Sequence, residues 1–105
     1  MVGQTIIPRD DTVSVGTSSV EISPETGTKQ RQALVITNTS TGGQKIALAW
    51  GKDAVAGTGV VLLPGEHHIE AIDSAFIPLN TRVSAESDGA GGTCAVHERL
   101  IAGVD

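Results

Sequence analysis

Tyrosine is missing from this chain, and Trp50 and Phe76 are its only Phe, Trp or Tyr residues. A core built here must draw on Val, Ile, Leu and Ala, with Trp50 and Phe76 as its two large pieces. Small aliphatic side chains bury less area per residue, which makes oligomerisation a natural source of extra stability. A single cysteine, Cys94, excludes an intrachain disulfide. It fits a chain that matures in a reducing compartment or needs no bridge. Basic residues number seven against twelve acidic ones, for a formal net charge of −5. They are scattered, so no Lys and Arg cluster exists to hold a nucleic-acid backbone or an anionic membrane. No run nears the ~18 apolar residues of a membrane span, and residues 1–11 lack the apolar centre of a signal peptide. The expectation is a soluble protein made in the cytoplasm, with neither nucleic acid nor membrane as partner.

What is present is alternation. Polar and apolar residues trade places over 12–16, 20–23, 29–38, 44–50, 66–72, 81–86 and 93–100, and 60–63 is a short apolar run. A period of two is the mark of a half-buried strand. Turn chemistry separates the runs: PETG at 24–27, TSTGG at 39–43, small residues over 51–59, Pro64-Gly65, and SDGAGG at 87–92. The stretch 31–72 organises the rest, which reads as strands added to its meander. No segment carries a helical period. A chain of 105 residues sets one domain. The expected fold is all-β, an antiparallel β-sandwich or jelly-roll-like barrel of about eight short strands over residues 12–100. Residues 1–11 read as an N-terminal arm and 101–105 as a tail.

Parity within each run nominates a buried face of Leu34, Ile36, Ile46, Leu48, Trp50, Leu63, Ile69, Val83 and Val96. Arg31 falls on the opposite face of its run, with Ala33, Val35 and Thr37. Residues 73–80, with Phe76, Ile77 and Leu79 around Pro78, read as a buried crossover.

Few residues carry candidate chemistry. His67 and His68 stand beside Glu66 and Glu70, the residue types that bind metals. Neighbours on a strand point to opposite faces, so only His68 and Glu70 could share a ligand. The favoured reading of this group is a solvated polar face. Cys94 and His97 have opposite parity, which argues against a thiol-imidazole pair and for a buried structural thiol. Asn38-Thr39-Ser40 matches a glycosylation sequon but reads better as turn chemistry. Trp50 could stack on a sugar, yet it ends the Ile46-Leu48-Trp50 face and reads as core. No catalytic residue, metal or cofactor is expected.

The order Arg31, Leu34-Val35-Ile36, Asn38-Thr39, then Ala54-Val55-Ala56-Gly57-Thr58-Gly59, then Val61-Leu62-Leu63-Pro64-Gly65 is distinctive as a set. It resembles small β-sandwich virion proteins of tailed and other double-stranded DNA bacteriophages, over about residues 13–98. The resemblance implies a non-enzymatic structural component of a phage virion, a capsid-bound decoration or minor capsid subunit. Its partners would be copies of itself in a symmetric homo-oligomer and the major capsid protein, and its place the virion. A carbohydrate-binding or host-adhesion module, of spike or tail type, is the alternative, and a small metal-dependent enzyme around His68 and Glu70 comes after it. Within the arm, Val2, Ile6 and Ile7 are the expected assembly contacts. Burying two isoleucines gains roughly 3–6 kcal/mol, which the ordering of some six residues would largely consume.

Overall fold

The computed structural model describes residues 6–102. That span holds eight strands and no helix: β1 (Ile6–Val15), β2 (Val20–Ser23), β3 (Gln30–Asn38), β4 (Ile46–Trp50), β5 (Val60–Leu62), β6 (His67–Ala71), β7 (Val83–Ser87) and β8 (Gly92–Ile101). They form two four-stranded sheets, ordered β1-β8-β3-β6 and β2-β7-β4-β5. All neighbouring strands are antiparallel. The chain is therefore the all-β sandwich that the alternation requires. Its pairs β1–β8, β2–β7, β3–β6 and β4–β5 are successive rungs of one long hairpin folded over on itself. That strand order is a double-sheet jelly roll.

The core lies between the sheets. Val15, Ile22, Leu34, Ile36, Ile46, Leu48, Leu62, Val83, Ala85, Cys94 and Val96 form one buried cluster, with Val13, Val20, Trp50 and Val60 packed at its margin. Opposite residues in an antiparallel pair share a face, so register carries burial from strand to strand. Ile46 faces Leu62 across β4 and β5. Leu62 is therefore inside, and Leu63, expected inside, is 46% exposed. Leu63 instead opens the turn, where its N–H donates to Glu66 Oε1 at 2.7 Å and its carbonyl accepts from Glu66 N–H at 2.9 Å. Gly65 takes φ +84 there, the left-handed region that favours glycine.

The same rule reverses β6. Ile36 faces His68 and Leu34 faces Glu70. Both apolar partners are inside, so His68 and Glu70 are inside too. Ile69, expected in the core, points out. Phe76, Ile77 and Leu79 are exposed rather than buried in a crossover. Trp50 is half-buried, so neither aromatic is a full core residue.

Two boundaries also shift. β1 starts at Ile6 and pairs residue by residue with β8, from Ile6↔Ile101 to Val15↔Gly92. Residues 6–11 thus lie in the sheet and not in an arm, while Val2 falls outside the described residues. Pro8 is tolerated because β1 is an edge strand, where a missing donor breaks no inner ladder. β8 likewise runs to Ile101, one residue past the expected domain end.

Candidate functional site

Two polar groups occupy the interior. The first is centred on Glu98, whose parity with Cys94 and Val96 aims it inward. Its Oε1 accepts from Arg9 Nε at 2.5 Å, and its Oε2 from Ser23 Oγ at 2.8 Å and Arg31 Nε at 2.9 Å. Register explains Arg9, which lies directly across β8 from Glu98. A bulge explains Arg31. The β3–β8 register skips Gln32, between Arg31↔Leu100 and Ala33↔Arg99. One extra residue turns Arg31 to the inner face, against its sequence parity. The guanidinium also donates to the carbonyls of Pro24, Leu79 and Thr81 and to Ser23 Oγ. Burial alone would raise the Glu98 pKa. The hydrogen bonds from Ser23, Arg31 and Arg9, with the Arg31 charge, hold it below 4.5. Every strong donor here is consumed internally, so this cluster is a clasp joining β1, β2, β3 and β8 rather than a reaction centre.

The second group lines a cavity of about 380 Å³ between the end of β4, β6 and the segment after it. His68 Nε2 and Glu70 Oε2 are 3.0 Å apart, and both side chains are buried. The His68 ring meets Trp50 edge-on at 5.2 Å and Phe76 edge-on at 5.4 Å. Trp50 Nε1 and Glu70 Oε1 are buried without a hydrogen-bond partner. Val60, Ala75, Ile77 and Leu79 complete the lining. His68 and Glu70 are thus brought together, in the interior and not on a solvated face. Glu66 is spent on the Pro64-Gly65 turn, and His67 is exposed on the other side of the strand. Among the described residues no three His, Cys, Asp or Glu side chains converge on a metal position.

The other nominated residues separate. Cys94 is fully buried, and burial pushes its thiol from 9.0 up to about 11. His97 sits on the outer face, 2.6 Å from Asp10 Oδ1 through Nδ1, while Arg99 Nε donates to its Nε2 at 3.2 Å. Asn38 is buried. Its Oδ1 accepts from Ser40 N–H and its Nδ2 donates to the Gln44 carbonyl, which is turn chemistry, and Nδ2 also donates to the carbonyl of Leu62 on β5, which ties the turn to the other sheet. Ile6 is exposed and Ile7 half-buried on β1.

One surface was not anticipated. From β6 onward Ile69, Ile72, Phe76, Ile77 and Leu79 are all exposed, Ile77 by 65%. The Ala71 N–H donates to the Phe76 carbonyl at 3.2 Å, which folds this stretch back on the end of the edge strand. Its sequence signal was the density of large apolar residues around Pro78, which also fits a buried crossover.

Fold and geometry together define a small double-sheet jelly roll with an apolar edge, in which Trp50 borders two open pockets, one beside β6 and one beside the 51–59 loop. No family model matches the chain, and no curated protein matches it.

Proposed function

We propose that this protein is a non-enzymatic structural component of a phage virion, a capsid-bound decoration or minor capsid subunit. The observation that carries the reading is the strand order, β1-β8-β3-β6 against β2-β7-β4-β5. Jelly rolls of this kind recur in viral shells, which is an analogy at the level of fold. The ordered motif set from Arg31 to Gly65 supports the same assignment. The contact surface follows from exposure. Large apolar side chains held in water along Ile69–Leu79 suit an interface that assembly covers. A subunit repeated on a shell gains avidity from many modest contacts. Its partners are then the major capsid protein and copies of itself, and its location the virion. The Glu98 cluster, internally satisfied, supports a structural part for that group. Protein mass spectrometry of purified particles tests this: the chain should be present in a fixed ratio to the major capsid protein. Its absence from particles that are otherwise complete would refute the assignment.

A further inference from the structure

Each sheet of the sandwich ends in two edge strands, and the chain blunts three of the four. β1 carries Pro8, Arg9, Asp10 and Asp11, β2 is four residues long with a register shift after Glu21, and β5 is three residues long. Proline, charge, irregularity and shortness are the devices that keep an edge from pairing with another chain. β6 is different. It has no proline, and its register with β3 runs unbroken from His67 to Ala71. Its one carboxylate, Glu70, is already buried beside His68, so a strand added at this edge would strip it of little further water.

The ladder fixes which main-chain groups of β6 face outward. Asn38 N–H donates to the Glu66 carbonyl at 2.9 Å, and the register then makes Ile36↔His68 and Leu34↔Glu70 the bonded pairs. His67, Ile69 and Ala71 therefore point their N–H and C=O groups away from the sheet. Ala71 agrees with this: its N–H donates to the Phe76 carbonyl at 3.2 Å, and its carbonyl accepts from Ser74 N–H at 3.1 Å. Those contacts occupy the edge at Ala71. Among the described residues no main chain meets His67 or Ile69 from that side, where water serves their groups. Ile69 is 51% exposed there, and Ile72, Phe76, Ile77 and Leu79, in the segment tied back to Ala71, are each more than half exposed. Five large apolar side chains at that exposure offer on the order of 500 Å² per copy. Two copies would bury about 1,000 Å², the least that a specific interface needs.

We infer that the free protein pairs two copies through β6, antiparallel about a two-fold axis, with His67 and Ile69 of each exchanging main-chain hydrogen bonds. An antiparallel edge is self-complementary by construction, because the same row of donors and acceptors, turned about a two-fold axis, meets itself. Pairing joins the β1-β8-β3-β6 sheets of two copies into one continuous sheet. Charge favours this place over the rest of the surface. The net charge of −5 opposes self-association, and none of the five apolar side chains adds to it. A patch of this size needs a cover while the chain is free. The shell reading gives the same edge to the major capsid protein, so on that reading the dimer opens before a subunit docks. The dimer itself does not depend on it.

Sedimentation equilibrium of the purified chain from about 1 to about 300 μM covers the affinity of a small interface. It should show a monomer–dimer equilibrium. Hydrogen exchange followed by NMR should find the His67 and Ile69 amides slowed at least tenfold as the dimer fills. Ile69→Lys should weaken association at least tenfold. Ile69→Pro removes one outward N–H at an edge that tolerates it, and should do the same. If that variant fails to fold, Ile69→Lys keeps the test intact. Val55→Lys puts the same charge on an exposed apolar residue of the 51–59 loop and should leave association unchanged. A monomer at every concentration overturns the inference. So does a dimer that Ile69→Lys leaves intact, one that Val55→Lys weakens equally, or one in which the two amides still exchange freely. A monomer would leave the shell assignment standing, and a chain missing from purified particles would leave the dimer standing, so the two readings fail separately.

Discussion

Arg31 and Glu98 meet inside the sandwich, Nε to Oε2 at 2.9 Å, with side chains 0% and 2% exposed. Removing one member of such a pair leaves a buried charge unmatched, which is the costly case. Glu98→Ala should destabilise the fold by about 3–5 kcal/mol. Denaturant unfolding measures it. A loss under about 1 kcal/mol would mean that water reaches Arg31.

Acid should act through the same carboxylate. The Glu98 pKa is lower in the folded chain than its ordinary 4.5. Its contribution is therefore complete above about 4.5 and is lost as pH falls through the lower folded value. Thermal unfolding followed from pH 6 downward should show a falling midpoint below about pH 4.5, and Glu98→Gln should flatten that limb.

Cys94 should give the alkaline counterpart. Its thiol is raised from 9.0 to about 11 by burial, so the folded state keeps a proton that the unfolded chain releases. The stabilising effect is complete below pH 9 and is lost as pH rises towards 11. Cys94→Ala should remove this slope. In the parent, a thiol reagent at pH 8 should label Cys94 only as fast as the protein opens.

Leu62 and Leu63 provide a test of register. Leu62 is packed in the core and Leu63 sits in the turn. Leu62→Ala should cost about 2–5 kcal/mol, as other buried leucines do. Leu63→Ala should cost about 0.5 kcal/mol or less. Equal costs would contradict the Ile46↔Leu62 pairing.

The apolar edge should matter for assembly and not for folding. Ile77→Lys replaces a mostly exposed side chain, so unfolding should change by about 0.5 kcal/mol or less. Rebinding of the purified variant to particles stripped of the chain should nevertheless weaken at least tenfold. Unchanged rebinding would move the contact elsewhere.

Much of the fold was legible because alternation survives in most strands. Leu34, Ile36, Ile46, Leu48, Val83 and Val96 lie inside as their parity demands. What failed was local. On β6 the alternation offers His68 and Glu70 on one face and Ile69 on the other, and hydrophobicity chooses Ile69. The choice is made instead by Leu34 and Ile36 across the ladder, a fact that lives in pairing and not in the run itself. Arg31 was misplaced because a bulge at Gln32 is invisible to a strict period of two. The cavity was hidden for the same reason as His68, since its wall exists only once β6 is turned. Residues 6–11 read as an arm because Pro8 looks like a strand breaker until β1 is known to be an edge.

Electron microscopy of the purified particle tests the central assignment most directly. The account predicts a two-sheet density about 50 Å long seated on the shell, with the Ile69–Leu79 edge against the major capsid protein. A particle map with no such density, or with that edge facing solvent, would contradict it.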